Sequence, residues 1–126
     1  MTSEQSRKPR ILIVDDHELV RRGIESLVRN ENIGDVCGEA VNGREAVQKV
    51  EELHPDVVIL DVSMPIMGGL EAARQIRNLA PSTKVVIVTM HNSSQIEKEA
   101  KGCGADALVI KSEVAAHLAE AIRKLY

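Results

Sequence analysis

The sequence contains no Trp and no Phe, and its only Tyr is Tyr126. A core must therefore be built from aliphatic side chains, and aromatic stacking on nucleic-acid bases is excluded as the activity. The two cysteines, Cys37 and Cys103, are far apart and form no Cys-x-x-Cys pair. They are too few for a structural zinc site and read as free thiols. No run approaches the roughly 18–20 apolar residues of a membrane span. The opening MTSEQSRKP has no apolar segment and does not read as a secretory signal. Residues 1–9 read as a flexible tail, with Arg7, Lys8 and Arg10 serving solubility. Net charge is -3 with both signs dispersed, which argues against a basic nucleic-acid surface. The phosphate-cradling patterns G-x-x-x-x-G-K-[ST] and G-x-G-x-x-G do not occur, nor does a G-x-S-x-G nucleophile elbow.

Four short apolar runs are present: Ile11-Leu12-Ile13-Val14, Val57-Val58-Ile59-Leu60, Val85-Val86-Ile87-Val88 and Ala107-Leu108-Val109-Ile110. They are continuous rather than alternating, as strands covered on both faces must be. Residues 36–41 form a weaker fifth candidate. Between the runs, apolar residues recur at helical spacing, as in Leu19, Val20, Gly23, Ile24, Leu27 and Val28. Gly34, Pro55, Pro81 and Gly104 punctuate the helix ends. Ser94 with Glu97 predicts a capping box, and Ser112 a cap for the last helix. Strict strand–helix alternation over 126 residues predicts one α/β domain. Its five parallel strands are expected in the doubly wound order 2-1-3-4-5, with a crevice at the carboxyl ends of strands 1 and 3.

Polar residues of a particular kind follow those runs. Strand 1 ends in Asp15-Asp16, strand 3 in Asp61, strand 4 in Thr89 and strand 5 in Lys111. Wet loops explain one or two polar residues there, but not three acids, a hydroxyl and a lysine. Three converging carboxylates repel, so their pKa values rise or a cation neutralises them. Oxygen-rich clusters suit Mg²⁺. A carboxylate beside such a cation can attack phosphorus and become an aspartyl phosphate. Lys111 offers a point charge and Thr89 a hydroxyl donor to phosphoryl oxygens.

Together, ILIVDDHELVRRG, DVVILDVSMPIMGGLEA, KVVIVT and GADALVIK resemble the receiver domain of two-component response regulators, in its NarL/FixJ-type branch. The resemblance spans essentially residues 10–125 and implies a flavodoxin-like receiver domain over 10–126. It implies that Asp61 accepts a phosphoryl group from a sensor histidine kinase in a phosphorelay, and that catalysis goes no further than self-phosphorylation and autodephosphorylation. Asp16 and Asp61 are expected to bind Mg²⁺ directly, Asp15 through water, and the backbone carbonyl of Ser63 as the third protein ligand. Thr89 and Lys111 are expected to engage the phosphoryl group, while Met64-Pro65 and Gly68 shape the loop. The family's switch pairs the Thr with a strand-5 aromatic, whose place here is held by Leu108. The expected partners are the kinase and a downstream effector or output domain not in this chain, with transcription as the controlled process. A phosphorylation-dependent homodimer, a cytoplasmic location and no direct contact with nucleic acid or membrane complete the expectation.

Other residues carry plainer readings. His17 reads as a loop or first-turn histidine near solvent, since hard-oxygen sites seldom recruit imidazole. His91 is a candidate for the crevice mouth; His54 and His117 read as surface residues. The helix near residues 94–103 has an apolar face of only Ile96, Ala100 and Cys103, so it should be weakly held and respond most to phosphorylation. Two rivals remain. A haloacid-dehalogenase-like phosphatase needs an acid two residues after the nucleophile, where this chain has Ser63. A receiver that never takes phosphate would serve only as a scaffold.

Overall fold

The computed structural model describes residues 8–91 and 93–126. Five strands alternate with five helices: β1 Arg10–Val14, α1 Glu18–Asn30, β2 Asp35–Ala40, α2 Gly43–Leu53, β3 Val57–Asp61, α3 Gly69–Leu79, β4 Lys84–Thr89, α4 Ser94–Gly102, β5 Ala107–Ile110 and α5 Val114–Arg123. The strands form one parallel sheet in the order β2-β1-β3-β4-β5, as the alternation predicts.

The continuous apolar runs serve two cores at once. Because successive strand side chains point to opposite faces, Leu12, Val14, Val58, Leu60, Val85 and Ile87 pack against α2 and α3 through Ala46, Val50, Ala73 and Ile76. Their neighbours Ile11, Ile13, Val57, Ile59, Val86 and Val88 pack against Ile24 and Val28 of α1 and Leu118 and Ile122 of α5. Burying each Val, Leu or Ile among them contributes about 1.5–3 kcal/mol. Branched aliphatics suit both layers, because they fit the pleated surface without aromatic volume.

Several local expectations are corrected. Ser93, not Ser94, caps α4: its hydroxyl accepts the Ile96 N–H at 3.2 Å. Ser112 caps nothing; it lies in a single 3-10 turn, Lys111–Glu113, that leads straight into α5. β2 ends at Ala40, leaving Val41 outside it. Leu19, assigned to the apolar face of α1, is 81% exposed. His54 is exposed, as its surface reading expects, and it also ends α2 in the left-handed region at φ 48. Most of the expected tail lies outside the described residues. Arg10, grouped with it, instead opens β1 and donates from Nη1 to the carbonyls of Leu53 (2.6 Å) and His54 (3.0 Å), the otherwise open end of α2.

The loop between β3 and α3 contains one strained position. The Met67 N–H donates to the Pro65 carbonyl at 2.7 Å, closing a three-residue turn around Ile66. Ile66 sits at φ 69, a conformation that β-branched residues resist. Its side chain is 74% exposed, so no packing offsets the strain. Ile66→Gly should therefore stabilise the domain: relief of about 1–2 kcal/mol of backbone strain exceeds the roughly 0.4–1 kcal/mol of added unfolded-chain freedom. Urea denaturation of the variant should show a raised midpoint at unchanged slope; a lowered midpoint would show that the turn is not strained.

Candidate functional site

The parallel sheet brings the carboxyl ends of β1, β3, β4 and β5 to one edge. Asp15 follows β1 at 1% exposure, and Asp61 ends β3 at 3%. Lys111, first residue after β5, reaches across both. Its Nζ lies 3.0 Å from Asp15 Oδ2 and 3.4 Å from Asp61 Oδ2. Asp16 stands beside them, more open to solvent. The carboxylate oxygens of Asp15 and Asp16 and an imidazole nitrogen of His17 all lie within 4.8 Å of one another. His17 does face solvent, as expected, but it also rests against the acids, with Nδ1 3.2 Å from Asp16 Oδ1.

Asp15 is fully engaged. Its N–H donates to the Ala40 carbonyl (3.1 Å), its Oδ1 accepts the His17 N–H (2.8 Å), and its Oδ2 faces Lys111. Burial and the neighbouring charge of Asp15 push the Asp61 carboxyl above its ordinary range, while Lys111 and the Ser63 N–H pull the other way. Partial burial pulls the Lys111 ammonium down, but its hydrogen bond to Asp15 and the charges of Asp61 and Asp15 outweigh this and raise it. Lys111 therefore stays charged. Three carboxylates against one ammonium leave two formal negative charges, and the donors are hard oxygens. That set fits a divalent cation such as Mg²⁺, with Asp16 the carboxylate most open to solvent.

The remaining predicted residues are placed less directly. Thr89 is buried at the end of β4, but its hydroxyl donates to the His91 carbonyl at 3.2 Å, within its own loop. Leu108 is half-buried on β5 and packs against the core beneath α3 and α4 rather than against the acids. Met64 and Met67 pack partly against the same core.

Two supporting residues had no single-residue signal in the sequence. A side chain at Gly69 would place Cβ 2.1 Å from the Asp61 carbonyl oxygen, so only glycine lets α3 start this close to Asp61. Arg21 donates from Nη1 to the Asp15 carbonyl at 2.8 Å. The glycine pair and the V-R-R-G run were visible, but neither contact follows from spacing.

The raised Asp61 pKa has a defined sign. The folded state holds that proton more tightly than the unfolded chain, so ionising Asp61 costs stability. The cost is fully present above the raised pKa and vanishes as pH falls below the ordinary carboxylate range. Without divalent metal, Asp61→Asn should therefore be more stable than the parent at neutral pH, with the gap closing on acidification. Thermal melts across pH in the presence of chelator test this; a gap that widens towards acid would refute the assigned repulsion.

Comparison with known proteins agrees with this geometry. A family model for the response regulator receiver domain matches residues 11–123. The response regulator protein VraR of Staphylococcus saprophyticus is 39% identical over 117 residues, covering 93% of this chain and 56% of that protein. The chain thus spans about half the length of the curated relatives it matches. A two-component response regulator of the LuxR family from Aurantimonas sp. SI85-9A1 superposes with TM-score 0.88 at 36% identity, over 94% of this chain and 84% of that one. A DNA-binding response regulator of the LuxR family from Staphylococcus aureus gives TM-score 0.86 at 32% identity, over 93% and 98%. No helix among the described residues is long and apolar enough to cross a membrane. With its parallel sheet and the acid-and-lysine cluster at one edge of it, the chain belongs to the response regulator receiver domain family of two-component signalling.

Proposed function

We propose that this receiver takes a phosphoryl group onto Asp61 from a phosphohistidine of a sensor histidine kinase. The observation that carries the reading is the Lys111 ammonium lying within reach of both buried acids, Asp15 and Asp61. An Asp61 carboxylate oxygen attacks phosphorus, forming an O–P bond as the P–N bond to the donor imidazole breaks. Lys111 holds Asp61 oriented before the reaction and neutralises phosphoryl oxygens after it. The Asp16 and Asp61 carboxylates and the Ser63 backbone carbonyl would hold Mg²⁺, with Asp15 acting through water. When bound, the ion supplies positive charge that screens the incoming phosphoryl group. Attack of water on phosphorus then breaks the O–P bond, releases inorganic phosphate and returns Asp61 to the carboxylate, so catalysis is confined to the chain's own phosphorylation and dephosphorylation.

The output is a changed surface. The Thr89 hydroxyl, which donates to His91 in this structure, turns to a phosphoryl oxygen and releases that carbonyl. The loop before α4 follows. Leu108 fills the place of the family's aromatic and offers no polar tip to move. Because the chain matches about half of its VraR relatives and resembles DNA-binding LuxR-family regulators, we read the effector as a DNA-binding output domain. Its activity is controlled by receiver phosphorylation and pairing of receivers, in the cytoplasm.

With no Trp to report the reaction by fluorescence, intact mass is the direct test. Incubation with Mg²⁺ and acetyl phosphate should add one phosphoryl mass. The adduct should vanish in Asp61→Asn and form at least about tenfold more slowly in Lys111→Ala, which loses a charge-assisted contact. An adduct that survives in Asp61→Asn would sink the assignment, and rapid multiple turnover of phosphate esters would favour a phosphatase. A second measurement addresses the output. Ala100 is the only buried residue within α4, so the loop and helix between residues 90 and 102 should change hydrogen-exchange protection most when beryllofluoride and Mg²⁺ are added. Equal protection of that segment in both states would remove the proposed route.

A further inference from the structure

We propose that Arg21 is a positioning residue for the acidic pair, acting through the backbone of Asp15 and itself held in place by Glu39. The inference rests on the metal-dependent reading above and assigns a residue that serves the site without touching reacting atoms.

The two arginines of the V-R-R-G run behave differently. Arg22 is 71% exposed and pairs on the helix surface with Glu18 at 3.3 Å, a contact of little energetic consequence. Arg21 is only 13% exposed and lies back over the start of α1. Its Nε donates to Glu39 Oε1 at 2.8 Å, and its Nη1 donates to the Asp15 carbonyl at 2.8 Å. One rigid guanidinium thus ties together three elements: α1, the end of β1 and β2. Lysine has no fork with which to copy this.

The consequence lies in the peptide joining Asp15 to Asp16. That unit is planar, so fixing the Asp15 carbonyl oxygen fixes the plane from which the Asp16 main chain departs. The N–H side of Asp15 is already held by the Ala40 carbonyl. Ala40 and Glu39 are adjacent on β2, in register with Val14 and Ile13. The end of β2 therefore anchors Asp15 twice, once through its own backbone and once through Arg21. With Asp15 clamped on all sides, Asp16 has a defined direction relative to Asp61. Released from Arg21, the peptide plane can rotate and carry Asp16 away.

The test uses the whole chain with Arg21→Lys, which keeps the charge but loses the fork, and Arg21→Met, which keeps the apolar stem. Amide exchange is measured by NMR without metal, followed by Mg²⁺ titration and phosphorylation by acetyl phosphate at low and high Mg²⁺. Positioning predicts that both variants speed exchange at the His17 amide about tenfold, the equivalent of one lost hydrogen bond, while amides of β3 and β4 keep their protection. Mg²⁺ affinity falls by roughly 10–100-fold, as for other groups that orient metal ligands. Excess Mg²⁺ restores the phosphorylation rate. Glu39→Ala acts in the same direction, and adding it to Arg21→Met costs nothing further. If Arg21→Lys matches the parent, charge rather than geometry is at work and the proposal fails. It also fails if Arg21→Met lowers thermal stability but leaves His17 exchange and Mg²⁺ affinity unchanged, because the role is then structural only. Should the parent bind no Mg²⁺, the metal reading falls, and metal-free exchange at His17 still decides the role of Arg21.

Discussion

Two almost fully buried carboxylates cannot share a sheet edge unless something holds their charge. In this chain the Lys111 ammonium does so, bridging Asp15 and Asp61. Removing the ammonium would leave two buried carboxylates uncompensated, a far larger cost than the net worth of either pair. The requirement reaches through the whole topology. Lys111 follows β5, at one edge of the sheet, while Asp15 follows β1 beyond β4 and β3. Only strands that all run parallel place these ends on the same side, and only a long side chain spans the distance. The fold is thus the means by which sequence-distant groups are forced into contact despite their repulsion.

Around this contact, rigid and compliant parts are segregated. The sheet and the helices on its two faces form aliphatic cores with no buried side-chain polar atom left unpartnered among the described residues. The loops at the carboxyl edge are built differently. Gly69 lets α3 approach the Asp61 carbonyl, Gly43 donates its N–H to the Met67 carbonyl at 2.8 Å, and Ile66 sits in a strained turn between them. Strain of this sort persists only where the surrounding structure over-determines it. Here the surroundings are two helix starts and the end of β3, all anchored in the core.

Most of the architecture could be read from sequence because each strand is buried on both faces. A run such as Val57-Val58-Ile59-Leu60 then has no polar position to obscure it, and the acid that follows marks its end. Asp15, Asp61 and Lys111 were legible for the same reason: the strand-end rule converts positions in sequence into one place in space. What escaped depends on side chains crossing between elements. Arg10 looked like part of a basic tail until its reach to the end of α2 was seen. Leu19 fits the helical period of α1, yet it is 81% exposed, and its neighbour Val20 takes the place against the core. Ser93 and Ser94 are chemically identical candidates, and only the extended backbone of Ser93 selects it as the cap. Gly69 meets the Asp61 carbonyl and Arg21 the Asp15 carbonyl, backbone atoms that carry no residue-type signal.

The lack of an aromatic residue on β5 bears on how such a site can signal. A ring with a polar tip can exchange an inner for an outer position at modest cost, because each position satisfies part of the side chain. Leu108 has no such choice: it is already packed against the core, and outward rotation would only expose apolar surface. Thr89 retains a real alternative, since its hydroxyl can leave the His91 carbonyl for another acceptor with little net loss. The proposed switch therefore runs through the main chain after β4 rather than through a side chain on β5. The next element, α4, has one buried residue to hold it, whereas α3 has four. A small change in hydrogen bonding at Thr89 is therefore commensurate with the stability of the element it would move. Under the proposed switch, that match between the size of the stimulus and the weakness of the responder would let this receiver dispense with the aromatic.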